Sequence, residues 1–331
     1  MTEVVTLGEC LIAFVASTPG PLAEATTFER YVAGAEANVA VGLARLGHDA
    51  SYIGRVGNDG FADAIRWRLR GEGVDTTHLS ADPDAPTGLM FRERRGLGPA
   101  QVVYVRRGSA GSRLAPDDVD RAAEAGVFRD ARWLHVTGIT PALSTDARAA
   151  NQRAVALARD AGMRISLDLN LRRRIWSDEE AAPVLRALAA QVDVLLGSHD
   201  ELAVVTGRAM TDSPAELARA ALTLGPATAI VKMAADGALA VERADPATAH
   251  VRPAVPLSSL VDPVGAGDAF CAGFIAASLE GATLADALDV ANACGAASAA
   301  ELGDQTGLPD RDRLAAILGS GIGQPGHDTI R

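Results

Sequence analysis

The stretch DPVGAGDAFCAGF, residues 262–274, joins a glycine turn to an aspartate and then to an apolar, helix-forming run. It has no Gly-Lys-Ser or Gly-Lys-Thr, so it is not a Walker loop. Small residues at Gly265, Ala266 and Gly267 let backbone N–H groups converge, and a helix start adds positive potential. That pair of effects suits an anion that gains charge during a reaction. Asp268 then falls in the first helical turn, where a carboxylate would repel a bound phosphate unless it had another task. The fitting task is accepting a proton from a hydroxyl that attacks phosphorus. Taken alone, an ordinary helix start with Asp268 favoured by the dipole explains the same four residues.

These residues need a scaffold, and the chain alternates apolar strand-like runs with amphipathic helical ones. VVTLG (4–8), SYIGRVG (51–57), RWLHVTG (132–138), MRISLDLN (163–170), VDVLLGS (192–198) and TAIVKM (228–233) read as strands. ANVAVGLARLG (37–47) and FADAIRWRLRGEG (61–73) read as helices. This rhythm predicts an α/β fold with a mostly parallel sheet covered by helices on both faces. Two segments break it. Residues 10–34 contain STPGP, which is turn chemistry, and residues 86–108 read as an antiparallel hairpin around a glycine turn. The two excursions are expected to pair as a small β-lid on a single domain spanning 1–318, with a loose tail over 319–331. Ligands of open α/β sheets sit beyond the carboxyl ends of the strands. No G-x-G-x-x-G follows the first strand, which argues against a dinucleotide-binding fold.

Composition narrows the partners. The 331 residues are 48% apolar and carry a net charge of −11, so neither a nucleic-acid backbone nor an anionic membrane is the expected partner. No apolar run is long enough to cross a bilayer. Cys10, Cys271 and Cys294 are too few and scattered for a disulfide framework or zinc site, so a reduced, cytoplasmic enzyme is expected. Lys232 is the sole lysine and closes the run TAIVK, where it serves either amine-specific chemistry or a solvated strand end. Tyr104 and Arg106 share a strand face. The planar fork of Arg106 suits a carboxylate, which points to an acidic substrate; a solvated edge strand is the competing reading. Asp168, Asn170 and Arg172 end a strand at the ligand edge, and His135 and His199 lack metal-ligand spacing.

The stretch 262–274 resembles the C-terminal signature of the ribokinase-like, or PfkB, sugar kinases. GAEANVAVGLARLG (34–47) with GRVGNDGFADAI (54–65) resembles their N-terminal signature, and the likeness runs from about residue 3 to about 318. The segments YVRRGSAGS (104–112), HVTGITPAL (135–143), LDLNLRRRIW (167–176) and VDPVGAGDAF (261–270) resemble 2-keto-3-deoxygluconate kinases within that family. The resemblance implies ATP and magnesium, and phosphorylation of a sugar acid at its terminal hydroxyl. Other sugar kinases of the family, or a non-catalytic sugar or nucleotide sensor, stay open at this point.

The resemblance also distributes roles. Gly34, Ala35 and Asn38 would grip sugar hydroxyls, and Met90 stands where a tyrosine often touches the sugar. Tyr104, Arg106, Arg172 and Asp304 would complete the substrate site. Asn170, Lys232, Ala235, Gly237 and Asn292 would lie along the nucleotide, with Ala234 replacing a glycine in the loop KMAADG. Glu201 would hold magnesium-bound water, in an element where Ser198 replaces an asparagine. Arg173 and Arg174 are expected to be solvated. A potassium site near the anion hole is left open, and the lid edge makes a homo-oligomer plausible.

Overall fold

The structure, a computed structural model, describes residues 2–94 and 100–319. Its main sheet is built from β1 (Val4–Gly8), β4 (Ala50–Gly57), β5 (Leu79–Asp82), β8 (Trp133–Thr137), β9 (Arg164–Asp168), β10 (Val194–Ser198), β11 (Thr228–Lys232), β12 (Ala238–Glu242) and β13 (Asp245–Arg252). The strands run in the order β13-β12-β11-β10-β9-β8-β1-β4-β5. Seven are mutually parallel, and β12 and β13 are antiparallel additions at one edge. Apart from the edge strand β5, where Ala81 is exposed, the parallel strands are largely buried on both faces, which is why they read as apolar runs rather than alternating ones.

The second sheet contains β2 (Leu11–Pro19), β3 (Phe28–Ala33), β6 (Leu89–Arg94) and β7 (Val102–Val105), ordered β3-β2-β6-β7. The first excursion supplies β2 and β3, the second supplies the antiparallel pair β6 and β7, and β2 pairs with β6. The glycine turn expected between β6 and β7 lies at 95–99, outside the described residues. The helix Arg311–Gly319 reaches the last described residue, so the expected loose tail beyond it also lies outside them.

Each face of the main sheet has its own core. One face packs under the helices Ala35–Arg45, Gly60–Gly71, Ala266–Leu279 and Leu284–Ala299. The other packs under Pro116–Glu124, Thr145–Asp160, Asp178–Ala189 and Pro214–Leu222. The lid has a small cluster of its own, Leu11, Ala13, Ala33 and Met90, with Tyr104 against it. Strand alternation orients the lid: Met90, Arg92, Val102 and Tyr104 face inward, while Val103 and Val105 are exposed on the edge strand β7. Asp59 ties the lid base to the main sheet. Its carboxylate accepts the N–H of Phe61 and Ala62, which caps the helix Gly60–Gly71, and also the N–H and hydroxyl of Thr87. No helix among the described residues is long and apolar enough to cross a membrane.

Candidate active site

The carboxyl ends of β9, β10 and β11 open into a cavity of about 420 Å³ roofed by the inner face of the lid. Met90, Tyr104, Asn170, Arg172, Glu201, Lys232, Gly265, Gly267 and Asp268 all line it. A second cavity, about 360 Å³, is lined by Arg30, Tyr31, Arg45, Arg68, Gln305 and Thr306 among others. It contains no carboxylate or imidazole, so it lacks a group that could accept a proton at neutral pH.

Gly265 caps the helix Ala266–Leu279 with φ +83°, and a Cβ there would lie 2.6 Å from the carbonyl oxygen of Asp304. Both facts demand glycine. Gly265 and Gly267 face the cavity, whereas the N–H of Ala266 donates to the Pro263 carbonyl at 3.3 Å and Ala266 does not line it. Asp268 is buried in the first turn. It accepts hydrogen bonds from Asn38 Nδ2 at 2.8 Å and Asn170 Nδ2 at 3.3 Å. Asn38 is itself oriented by Gln305, whose Nε2 donates to its Oδ1 at 3.1 Å. Burial pushes the Asp268 carboxyl up to about 7, against the opposing pull of the Asn38 hydrogen bond and the Arg172 charge. A carboxyl poised near neutrality is suited to take a proton from an alcohol.

The strand-end residues are organised around that carboxylate. Asn170 adopts φ +37°, a left-handed conformation that asparagine tolerates, and this aims its amide at Asp268. Lys232 Nζ donates to both oxygens of Asp168 at 2.7 Å. Although burial opposes its charge, the Asp168 carboxylate holds the Lys232 ammonium above its ordinary range. The lysine is therefore not a solvated strand end, and it lines the cavity beside Asp168. Ala234 in that loop has φ +51°, the conformation glycine takes without cost. The loop thus keeps a glycine-like shape with alanine in place. Ala234→Gly should change stability by less than about 1 kcal/mol, because the strain relieved and the chain entropy gained by the unfolded state nearly cancel; a urea-denaturation midpoint checks this.

Other expected site residues are placed as follows. Gly34 caps the helix Ala35–Arg45 and packs against the Glu9 backbone, with Ala35 buried behind it. Met90 and Tyr104 are direct cross-strand partners on the lid. Glu201 accepts the N–H of Leu171 at 2.7 Å on one oxygen and the N–H of Ser198 at 2.8 Å on the other. Asp304 is buried, its Oδ1 has no hydrogen-bond partner among the described residues, and burial pushes its carboxyl up to about 6. Ala235 is exposed and Gly237 buried at the mouth of the next strand. Asn292 Nδ2 donates to the carbonyls of Arg252 and Pro253, which fixes the exit of β13.

Arg173 and Arg174 are exposed, as expected; Arg173 pairs at the surface with Asp178 and Asp200, and Arg174 donates to the Val102 carbonyl of the lid at 2.6 Å. The expectation for Arg106 changes. Arg106 already has a carboxylate inside the chain. Its Nε donates to Glu9 Oε2 at 2.6 Å, its Nη2 pairs with the same oxygen, and its guanidinium lies 5.3 Å from the Tyr104 ring centre. Sequence reasoning missed Glu9, Arg92, Asp262 and Gln305. The alternation of β6 could have flagged Arg92, which shares a face with Met90 two residues earlier. Nothing in the local sequence flags Gln305, since it acts 267 residues from Asn38.

The family model for pfkB family carbohydrate kinases matches residues 1–311. The chain belongs to this family. Two curated relatives named 2-dehydro-3-deoxygluconokinase match it. That of Thermoproteus tenax is 39% identical, covering 96% of this chain and 94% of its own. That of Bacillus subtilis is 35% identical, covering 96% and 95%. Among solved structures, an E. coli putative ribokinase II in complex with ATP and Mg²⁺ has a TM-score of 0.88 at 27% identity, covering 97% of this chain and 100% of that one. A Vibrio cholerae fructokinase bound to fructose, ADP and potassium has a TM-score of 0.83 at 29% identity, covering 96% and 98%. As a pfkB kinase, the chain is a phosphotransferase that acts on a sugar hydroxyl.

Proposed function

We propose that this kinase transfers the γ-phosphoryl group of ATP to the terminal hydroxyl of 2-keto-3-deoxygluconate. The observation that carries the reading is Asp268, buried beside the Gly265–Gly267 turn and held by two asparagine amides. Asp268 accepts the hydroxyl proton as the oxygen attacks phosphorus. The turn and helix start stabilise the charge developing on the transferred group. Arg172, at the cavity wall, adds positive charge on the same side. The two 2-dehydro-3-deoxygluconokinase relatives support the choice of sugar acid.

Magnesium would neutralise and orient the phosphates when bound. Glu201 fits an outer position: each of its oxygens accepts one backbone N–H and keeps a lone pair that can accept from metal-bound water. The free, buried cysteines and the absence of a membrane-crossing helix among the described residues support a cytoplasmic setting. Exposed Val103 and Val105 on edge strand β7 support a homo-oligomer formed through the lid.

The deciding experiment is a coupled ADP-release assay across 2-keto-3-deoxy sugar acids, hexoses, ribose and nucleosides. The reading expects the highest kcat/KM with 2-keto-3-deoxygluconate; a neutral sugar at the top of the series overturns it. One observation favours that second reading: Glu9 already neutralises Arg106, so the guanidinium is not a free cation awaiting an acid. Arg106→Gln separates the two. If Arg106 also receives the substrate carboxylate, KM for the acid rises about 10- to 100-fold, the worth of a hydrogen bond to a charged group. KM for a neutral hexose then stays nearly constant. Equal losses for both would assign Arg106 to lid structure.

A further inference from the structure

Asp262 opens the turn that ends at Gly265, and its carboxylate is fully engaged. Oδ1 accepts from Arg92 Nη1 at 2.8 Å and from the N–H of Val264 at 3.2 Å. Oδ2 accepts from Arg92 Nη2 at 2.6 Å and from the N–H of Gly303 at 3.1 Å. A carboxylate offers about four lone-pair positions, and all four have donors. Arg92 and Asp262 are 5% and 4% exposed, so this two-pronged pair is shielded from solvent and salt.

The sequence leaves a potassium site near the anion hole open, and Asp262 is the carboxylate that opens that turn. A monovalent metal ion centred on Asp262 would have to displace a guanidinium that is always charged and matches the carboxylate in two places. It does not fit. We infer that Arg92 is the resident cation of the anion-hole turn, so that this kinase works without a bound monovalent metal ion.

The guanidinium does more than neutralise. Arg92 sits on lid strand β6, two residues beyond Met90, and Asp262 and Gly303 sit on two separate loops. Gly303 adjoins Asp304, whose carbonyl packs on Gly265. One carboxylate thus fastens the lid, the anion-hole turn and the Asp304 loop together. A metal ion would order only the loops; the arginine also ties them to the lid that covers the sugar. Arg92 is in this sense a positioning residue, acting through Gly265 rather than on the substrate.

The test uses the full chain and whichever sugar the substrate panel selects, so a wrong sugar assignment leaves it intact. ADP release and melting temperature are measured in potassium, sodium and tetramethylammonium chloride at equal ionic strength. The expected result is the same kcat within about twofold and the same melting temperature in all three salts. Arg92→Gln should lower kcat by about 10- to 100-fold, with partial recovery on adding guanidinium chloride at concentrations too low to unfold the chain. Potassium stimulation of the wild type by tenfold or more, a potassium-specific rise in its melting temperature, or an unchanged kcat in Arg92→Gln would each overturn the inference. If Arg92→Gln does not fold, the wild-type salt comparison decides alone.

Discussion

Asp268→Asn is expected to lower kcat by about 10²- to 10⁴-fold, the range associated with losing a general base. Asparagine keeps the size and the position beside Asn38 and Asn170 but cannot take a proton, so the loss should appear in kcat more than in KM. The pH profile gives a second readout. Burial puts the free-enzyme carboxyl at about 7, so kcat/KM of the wild type should rise with pH through a single ionisation near neutrality, and the residual activity of the variant should lack that step. Stability should move the other way. Because the folded-state value lies above the unfolded one, folding holds a proton on Asp268 that the unfolded chain releases. Its contribution is complete below about pH 4 and is lost as pH rises through about 7. The melting temperature of the variant relative to the wild type should therefore climb between pH 4 and pH 8. Near-normal turnover in a folded Asp268→Asn protein, or a pH profile that keeps its step, would remove Asp268 as the base.

The same residue shows how much of the site the sequence carried. Gly265, Gly267 and Asp268 lie within four residues of chain and line one cavity, so a local reading finds them, and the strands that support them announce themselves as apolar runs. The antiparallel strands β12 and β13 did not. Their segment 238–252 mixes buried Ala238–Val241 with exposed positions along β13, because an edge strand lacks the two-sided burial that makes the others legible. The lid was readable as two departures from the strand and helix rhythm, since β6 and β7 form a local hairpin. What was not readable is where charges terminate. Arg106 reads as a free fork until Glu9, 97 residues away, is seen to fill it. Asp262 reads as one more residue of a glycine motif until Arg92 reaches it across 170 residues. Ion pairs of that kind are set by how two sheets face each other, and no periodicity encodes them.

Asp168→Asn should destabilise the fold by about 3–5 kcal/mol, the usual cost of stripping one partner from a buried ion pair. Lys232 gives both of its hydrogen bonds to Asp168, and Asp168 is almost wholly inaccessible. An amide in its place offers one acceptor and no charge, leaving the sole lysine of the chain an uncompensated cation beneath the anion-hole helix. The cost should depend on pH in a defined sense. With the carboxylate gone, burial depresses the folded-state lysine, the unfolded chain binds the extra proton, and stability recovers as pH rises. Urea unfolding of wild type and variant at about pH 7 and about pH 9.5 measures this: the deficit should shrink at the higher pH. Replacing both partners, as Asp168→Leu with Lys232→Met, should restore most of the loss, because two apolar side chains leave no charge to desolvate. A deficit below about 1 kcal/mol in the single variant would mean that the pair behaves as an exposed one, open to water from the cavity. In that case the charge beneath the helix start would be screened, and the stabilisation attributed to the turn would rest on its backbone N–H groups alone.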